Sequence, residues 1–207
     1  MINLKCDAVL PECDMKPLED IENSITAEYK KSIWAKFLKA VNEFGLVKDG
    51  DKIAIAISGG KDSLLLYKLF QRLKKDKRRN FEFRAVNLNP GFKKEDLDNF
   101  KNNLLKLDID CEIFDTNIWK IANEKAKDYP CFLCAKMRRG ILYKKVEEYG
   151  YNKLALGHHF DDVIETTLIN IFYSGSVKTM TPEVDSTSGK LKVIRPLIYV
   201  EEKDIIN

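Results

Sequence analysis

No uninterrupted apolar run in this 207-residue chain approaches the roughly 20 residues needed to cross a bilayer. The opening stretch MINLKCDAVLPECD also lacks the basic-then-apolar order of a secretory signal. Neither absence favours a membrane or secretory route, and the chain reads as cytoplasmic, with no membrane partner. Cysteine is scarce: five residues, an odd number without scaffold density, so a close pair suits metal binding or redox chemistry better than stapling a fold. Histidine is scarcer still, with two residues, and there is no second C-x-x-C to complete a zinc site with the first. A large net charge is missing too. With 35 basic against 32 acidic residues the balance is +3, so any case for a nucleic-acid partner has to come from local clusters. Two exist: RLKKDKRRN at residues 72–80, and Lys136, Arg138 and Arg139. Alone, each reads more readily as a solvated helix face than as a binding patch.

What is present is an ordinary globular mixture, 44% hydrophobic and 32% charged. Residues 1–27 show little periodicity and read as a loosely structured leader. A helix is expected across residues 28–50, where Ile33, Phe37, Val41 and Phe44 share one face and Gly45 offers a stop. DKIAIAIS, rich in Ile and bounded by turn residues, reads as a buried strand, and a helix should follow through Leu64, Leu65, Tyr67, Leu69 and Leu73. The alternation continues with strand FEFRAVNLN, a helix over about 94–107, strand CEIFD, helix NIWKIANEKA, a helix over about 135–149, strand KLALG and a helix from about Asp161. DSTSGKLKVIRPL reads as a turn and a last strand, and VEEKDIIN as the start of a helix without a stop signal, which suggests a truncated chain. Such alternation implies an α/β class, with a doubly wound, mostly parallel sheet over residues 51–207 and an N-terminal helical extension. Ligands of such sheets bind beyond the carboxyl ends of the strands. SGGKDS, NLNPG and GHHFDD, each following a strand, are therefore expected to face one crevice.

Three segments carry chemistry. In IAISGGKDSLLLY, Ser58, Gly59, Gly60, Lys61, Asp62 and Ser63 join a strand to a helix. Glycines let backbone N–H groups approach a ligand and the helix N-terminus adds positive potential, so the turn is a candidate anion cradle. It is neither a Walker A loop nor a G-x-G-x-x-G fingerprint. Asp62 would repel a phosphate unless it caps the helix or holds Mg²⁺, and a simple turn capped by Ser58 or Asp62 is the plainer alternative. In LALGHHFDDVIETTL, His158, His159, Asp161 and Asp162 are metal-ligand or acid–base types, or a capped helix start. Cys131 and Cys134 form the C-x-x-C of YPCFLCAKMRRGILY, where the neighbouring Lys136, Arg138 and Arg139 favour thiolates.

Ser-Gly-Gly-x-Asp-Ser after a hydrophobic strand resembles the signature of the PP-loop ATP pyrophosphatases, whose fold is the Rossmann-like adenine nucleotide alpha hydrolase-like fold. G-H-[HN]-x-D-D resembles the second motif of their tRNA-modifying branch. Together with PCFLCAKMRRGILY and VIRPLIYVEEKDI these segments look like the tRNA 2-thiocytidine synthetases, with the tRNA thiouridine synthetases as relatives. The resemblance implies that Ser58, Gly59, Gly60, Lys61, Asp62 and Ser63 grip the pyrophosphate of ATP. Ala56 and Ile57 would lie against the nucleotide, Leu88 would line its adenine side, Gly157 would pack on it, and Asp162 would contact ATP or its Mg²⁺. Arg138 matches a phosphate-contacting position. Cys131 and Cys134 match two of the three cysteines that hold a [4Fe–4S] cluster; the third has no match here, and Cys6, Cys13 and Cys111 do not correspond to it. Catalytic roles fall on Asp62, Asp162, Cys131 and Cys134. The implied reaction is adenylation of C2–O in a tRNA pyrimidine, cytidine foremost, followed by sulfur transfer from a cysteine desulfurase or sulfide. The implied partners are tRNA, that donor and a second copy in a homodimer. Two other readings stay open: another PP-loop enzyme such as a tRNA lysidine synthetase or an amide-forming ligase, and a zinc-stabilised nucleotide- or RNA-binding module.

Overall fold

Short apolar runs between turn signals become the strands of one sheet, and the periodic segments between them become its helices. The structure, a computed structural model, describes residues 16–125 and 130–206. The strands are β1 (Lys52–Ala56), β2 (Glu82–Asn89), β3 (Cys111–Asp115), β4 (Lys153–Ala155), β5 (Glu183–Asp185) and β6 (Lys192–Ile194). Their order is β3-β2-β1-β4-β6-β5, parallel throughout except for the antiparallel β5–β6 edge. The expected doubly wound, mostly parallel sheet is therefore observed.

Period-two alternation explains why β1 is apolar on both sides. Ile53 and Ile55 enter one core and Ala54 the other, all fully buried. The first core is filled by α3 (Lys61–Lys74), whose Leu66, Leu69, Phe70 and Leu73 are completely buried, and by α2 (Ala35–Glu43) through Phe37, Ala40 and Val41. The second lies under α5 (Ile118–Lys125) and α6 (Pro130–Glu148). α4 (Lys94–Lys106) covers the first core through Leu104. α7 (Phe160–Ser174) follows β4 and α8 (Glu202–Ile206) follows β6.

Four expectations need correction. Part of the leader is ordered: α1 (Leu18–Thr26) buries Ile25, and its Glu22 meets the buried Lys68 of α3 at 3.0 Å, a tertiary contact that no local pattern announces. The helix expected over residues 28–50 is two pieces, a π-helical turn at Lys30–Trp34 and then α2. α6 includes Pro130–Glu148 and so reaches upstream of Ala135, which places both cysteines within it. The single last strand is a hairpin, β5 and β6. Cys6 and Cys13 lie outside the described residues. Among the described residues no helix is long and apolar enough to cross a membrane.

At the amino edge of the sheet a buried ion pair ties β4 to the turn before β1. Lys153 Nζ sits 2.7 Å from Asp51 Oδ2, with side chains 4% and 7% exposed. Lys153 also donates to the Leu46 carbonyl, while Asp51 accepts from the Lys48 N–H and from Asn152 Nδ2. Burial alone would raise the Asp51 pKa, but bonds from Lys153, Lys48 and Asn152 outweigh it and hold the carboxyl below its ordinary value. A group with a depressed folded pKa contributes stability above its unfolded pKa and loses it as pH falls through the folded value. Lys153→Met strands a buried carboxylate, so urea unfolding at pH 7 should show a loss of about 3–5 kcal/mol. The deficit should shrink once pH drops below the ordinary carboxylate range, where the stranded Asp51 becomes neutral.

Candidate functional site

The strand order reverses between β1 and β4: from β1 the chain runs outward through β2 and β3, then returns to the other side of β1 with β4. Ligand crevices form at such switch points. A cavity of about 310 Å³ opens there, lined by Ala56, Ile57, Ser58, Asp62, Ser63, Val86, Asn87, Leu88, Arg138, Arg139, Leu142, Leu156, Gly157, His158 and Asp162. Residues from all three strand-end segments therefore share one crevice, and α6 adds two arginines.

The turn after β1 is shaped by its serines. Ser63 Oγ donates to the Gly60 carbonyl at 2.9 Å and accepts from the Ser58 N–H at 3.2 Å, while Ser58 Oγ accepts from the Gly60 N–H at 3.3 Å. Gly59 has φ +90°, and a Cβ there would press on the Phe100 ring at 3.1 Å. Gly60 is extended and serves as the N-cap of α3. It has no side chain to cap with, so the first-turn amides stay available to an anion, and neither Ser58 nor Asp62 is the cap. Asp62 lies in the first turn, with Oδ1 3.2 Å from Lys61 Nζ but buried and accepting no hydrogen bond. Lys61 also reaches Glu202 of α8 at 2.9 Å.

The turn after β4 is pressed against this loop. A Cβ on Gly157 would stand 3.0 Å from the Asp62 carbonyl carbon and 3.1 Å from the Ser63 nitrogen, so only glycine lets the two backbones approach so closely. The two histidines divide. His158 faces the cavity; burial foremost, then Arg195, lowers its pKa, which favours the neutral ring at pH 7. His159, 6% exposed, lies among three carboxylates: Nε2 is 4.0 Å from Asp62, and Nδ1 is 3.7 Å from Asp161 and 3.5 Å from Asp162. Asp162 Oδ2 accepts the His159 N–H at 2.7 Å, capping α7 while the residue still lines the cavity; Asp161 Oδ2 accepts the Glu202 N–H at 2.7 Å and so holds α8.

Cys131, Cys134 and Arg138 fall at i, i+3 and i+7 on α6, one face of the helix. Arg138 lines the cavity, and the cysteines stand about 6 and 10 Å further along the axis at 1.5 Å per residue. Cys131 is exposed and Cys134 is buried in the second core. Among the described residues no three His, Cys, Asp or Glu converge as a metal-binding group. Cys111 is elsewhere, on β3, with its thiol pushed up to about 12 by burial and then by Asp110.

The Arg72–Arg79 cluster does not reach this site. It begins in the last turn of α3 and continues past its end, from about 16 Å along the helix from Lys61 onward. Arg78 pairs with Asp76, Lys75 with Glu22, and Arg79 donates to Asn42. Asn87 opens the NLNPG segment expected at the crevice, though the sequence did not single it out within that segment. Sequence reasoning missed Arg195, a half-buried cation after β6 whose Nη1 donates to Thr181 and whose Nε has no hydrogen-bond partner.

The family of the PP-loop domain, ATP_bind_3, matches residues 29–207. The chain belongs to that family. This PP-loop protein is 40% identical over 173 residues to tRNA-cytidine(32) 2-sulfurtransferase of Aeromonas hydrophila, which covers 81% of the chain and 56% of the relative. It is 43% identical over 170 residues to the protein of the same name from Polynucleobacter necessarius, covering 80% and 55%. The chain thus spans little more than half the length of these relatives. Among solved structures, the U34-tRNA thiolase NcsA from Methanococcus maripaludis, described with its [4Fe-4S] cluster, superposes with TM-score 0.66 at 23% identity, covering 100% of this chain and 70% of that one. This last likeness is one of fold.

The Gly157 contact carries a direct expectation. Gly157→Ala cannot be absorbed by a flexible side chain, because the opposing atoms are backbone. Thermal denaturation should show about 1–3 kcal/mol of overpacking strain; an unchanged melting temperature would mean that the two loops can move apart freely.

Proposed function

We propose that this PP-loop protein adenylates the C2 oxygen of a tRNA pyrimidine, cytidine foremost, and exchanges it for sulfur. One observation carries the reading: the cavity that joins the loop at residues 58–63 to Asp162 also takes Arg138, the end of a helical face on which Cys131 and Cys134 stand. The relatives' names agree with it. A nucleotide-binding ligase of the same family would leave both cysteines without a task, and a zinc-stabilised nucleotide- or RNA-binding module would need further zinc ligands that do not converge among the described residues.

Seated with its phosphates on the first-turn amides of α3, ATP would have its base among Ala56, Val86, Leu88 and Leu156. Arg138 and Arg139 would face the phosphates from α6, opposing the carboxylates. Asp62 and Asp162 fit a Mg²⁺ ion, since Asp62 Oδ1 is buried and unbonded and Mg²⁺ is commonly held by one or two carboxylates plus substrate phosphates; the ion would neutralise charge on the phosphates. Cys131 and Cys134 would hold an iron–sulfur cluster, a group that supplies sulfur chemistry when bound, and the described residues contribute these two thiolates to it.

The pyrimidine C2 oxygen attacks the α-phosphorus, and the bond to pyrophosphate breaks. The loop amides stabilise the leaving pyrophosphate and Arg138 the charge at phosphorus. Sulfide, supplied as such or released from a desulfurase persulfide by a thiol reductant that becomes a disulfide, then adds to C2, and the C2–O bond breaks with AMP as leaving group. Lys136, Arg138 and Arg139 would meet the tRNA backbone, so binding should weaken with salt. The target base has to leave its stack to reach the cavity. A homodimer is supported by α7, which buries no residue and exposes Leu168, Ile169, Phe172 and Tyr173.

Mass spectrometry of tRNA nucleosides from a deletion strain should show loss of one 2-thiolated pyrimidine, restored by the intact gene. Cys131→Ala and Cys134→Ala should each abolish restoration while leaving ATP affinity within about twofold. Thiolation that survives either substitution refutes the assignment. Anaerobically purified protein should contain iron and acid-labile sulfide, and zinc alone would favour the binding module.

A further inference from the structure

Cys131, Phe132, Ala135, Lys136, Arg139 and Gly140 are exposed, and their spacing along α6 makes them one continuous stripe on its solvent face. The stripe is cationic without a counter-charge. No acidic residue occurs from Pro130 to Val146, and Lys136 and Arg139 form no ion pair with a described residue. The next two cations along the helix show the ordinary arrangement, since Lys144 and Lys145 both meet Glu148. Toward one end of the stripe Phe132 is 74% exposed, and toward the other Arg139 lines the cavity. Gly140 is the residue that local structure leaves unexplained. It lies in the middle of a 19-residue helix, where glycine is destabilising relative to alanine. Its φ is outside the left-handed region, and a Cβ there would meet nothing within 4 Å. Gly157 is demanded by its neighbours; no neighbour within the protein demands a glycine at 140.

We infer that this stripe seats the sugar–phosphate backbone of RNA beside the target base, with a phosphate lying against Gly140 within reach of Lys136 and Arg139, and an unstacked base on the Phe132 ring. The inference rests on the tRNA reading above and adds to it where the strand lies. Unpaired cations in a row suit a polyanion, whose binding neutralises them. Helix backbone left bare by a glycine lets a partner come closer than any side chain would allow. An exposed aromatic ring next to cations suits a base that has left its stack. The exposed face of α7 is the opposite case: Leu168, Ile169, Phe172 and Tyr173 stand on a helix that contains no lysine or arginine, so nothing there attracts a phosphate. Because Arg139 belongs to both the stripe and the cavity, a strand on the stripe leads into the crevice.

Retention of an unmodified tRNA transcript by the intact protein across a range of salt concentrations, measured beside thermal melting and ATP calorimetry, tests this. Gly140→Gln should raise the melting temperature by about 1–4 °C, because glutamine is a good helix former and has open space to occupy. The same variant should bind tRNA about tenfold more weakly, with a salt slope lower by about one and ATP affinity within about twofold of wild type. Phe132→Ala should weaken tRNA on the order of tenfold and leave the salt slope unchanged. A protein made more stable and less able to bind RNA is an outcome that a merely structural glycine does not give. Wild-type tRNA affinity in Gly140→Gln overturns the inference, and so does a lower melting temperature, which would place the need for glycine inside the fold. Lost binding accompanied by a changed sedimentation coefficient assigns the stripe to a second copy and overturns it as well. Each of these leaves the tRNA reading standing, whereas a wild-type protein that retains no tRNA removes that reading and the inference with it.

Discussion

The site depends on one contact between backbones. Gly157, just past β4, lies so close to Asp62 and Ser63 that a methyl group would fit only if the two backbones moved apart. Strand order alone brings the carboxyl ends of β1 and β4 side by side, but adjacency leaves several ångströms of latitude. The glycine removes it. With that distance set, the caps of two helices and three carboxylates gather around His159, and the cavity takes its width. The buried Asp51–Lys153 pair does the same at the opposite edge of the sheet, so β1 and β4 are tied at both ends. Truncating either partner of such a pair is far more damaging than the pair is stabilising, which is why it acts as a specification of register.

Charge is sorted across the cavity. Asp62, Asp161 and Asp162 lie on the strand-end side with His159 among them, while Arg138 and Arg139 come from α6. Lys61 does not join the arginines; it is drawn aside to Asp62 and Glu202. A polyphosphate between the two sides would meet guanidinium groups from above and amide donors from below. Carboxylates at the same level would make a cation necessary for it to stay. Asp62 Oδ1 and His158 Nδ1, buried and unbonded in the protein alone, are the partners such a ligand and its ion would complete.

Much of this was legible because parallel sheets make short apolar runs and place loops predictably. The strand before SGGKDS and the strand before GHHFDD each end where a ligand must sit, and their motifs carried the residues. What was not legible depended on tertiary distance. Gly157 reads in the sequence as a residue touching ligand, yet its steric role is toward Asp62 and Ser63. Both glycines of the loop look equal, but only Gly59 takes positive φ. RLKKDKRRN could be read as a solvated helix face or a binding patch, because composition cannot say which end of α3 faces the cavity. α1 was missed because its anchor, Lys68, lies in a different helix. Asp161 and Asp162 are adjacent and chemically alike, and only the fold shows that one holds α8 and the other caps α7.

The cysteines illustrate how helix geometry converts spacing into function. In an irregular loop, C-x-x-C can close around one metal. On α6 the same spacing stacks the thiols one turn apart, with Cys131 exposed and Cys134 buried against the second core. Two such thiols can supply two corners of a larger polynuclear group but cannot enclose a single ion, and no third ligand among the described residues joins them. The arginine at i+7 then stands about 10 Å along the helix axis from Cys131, so α6 holds both thiols and the cavity-lining Arg138 on one face.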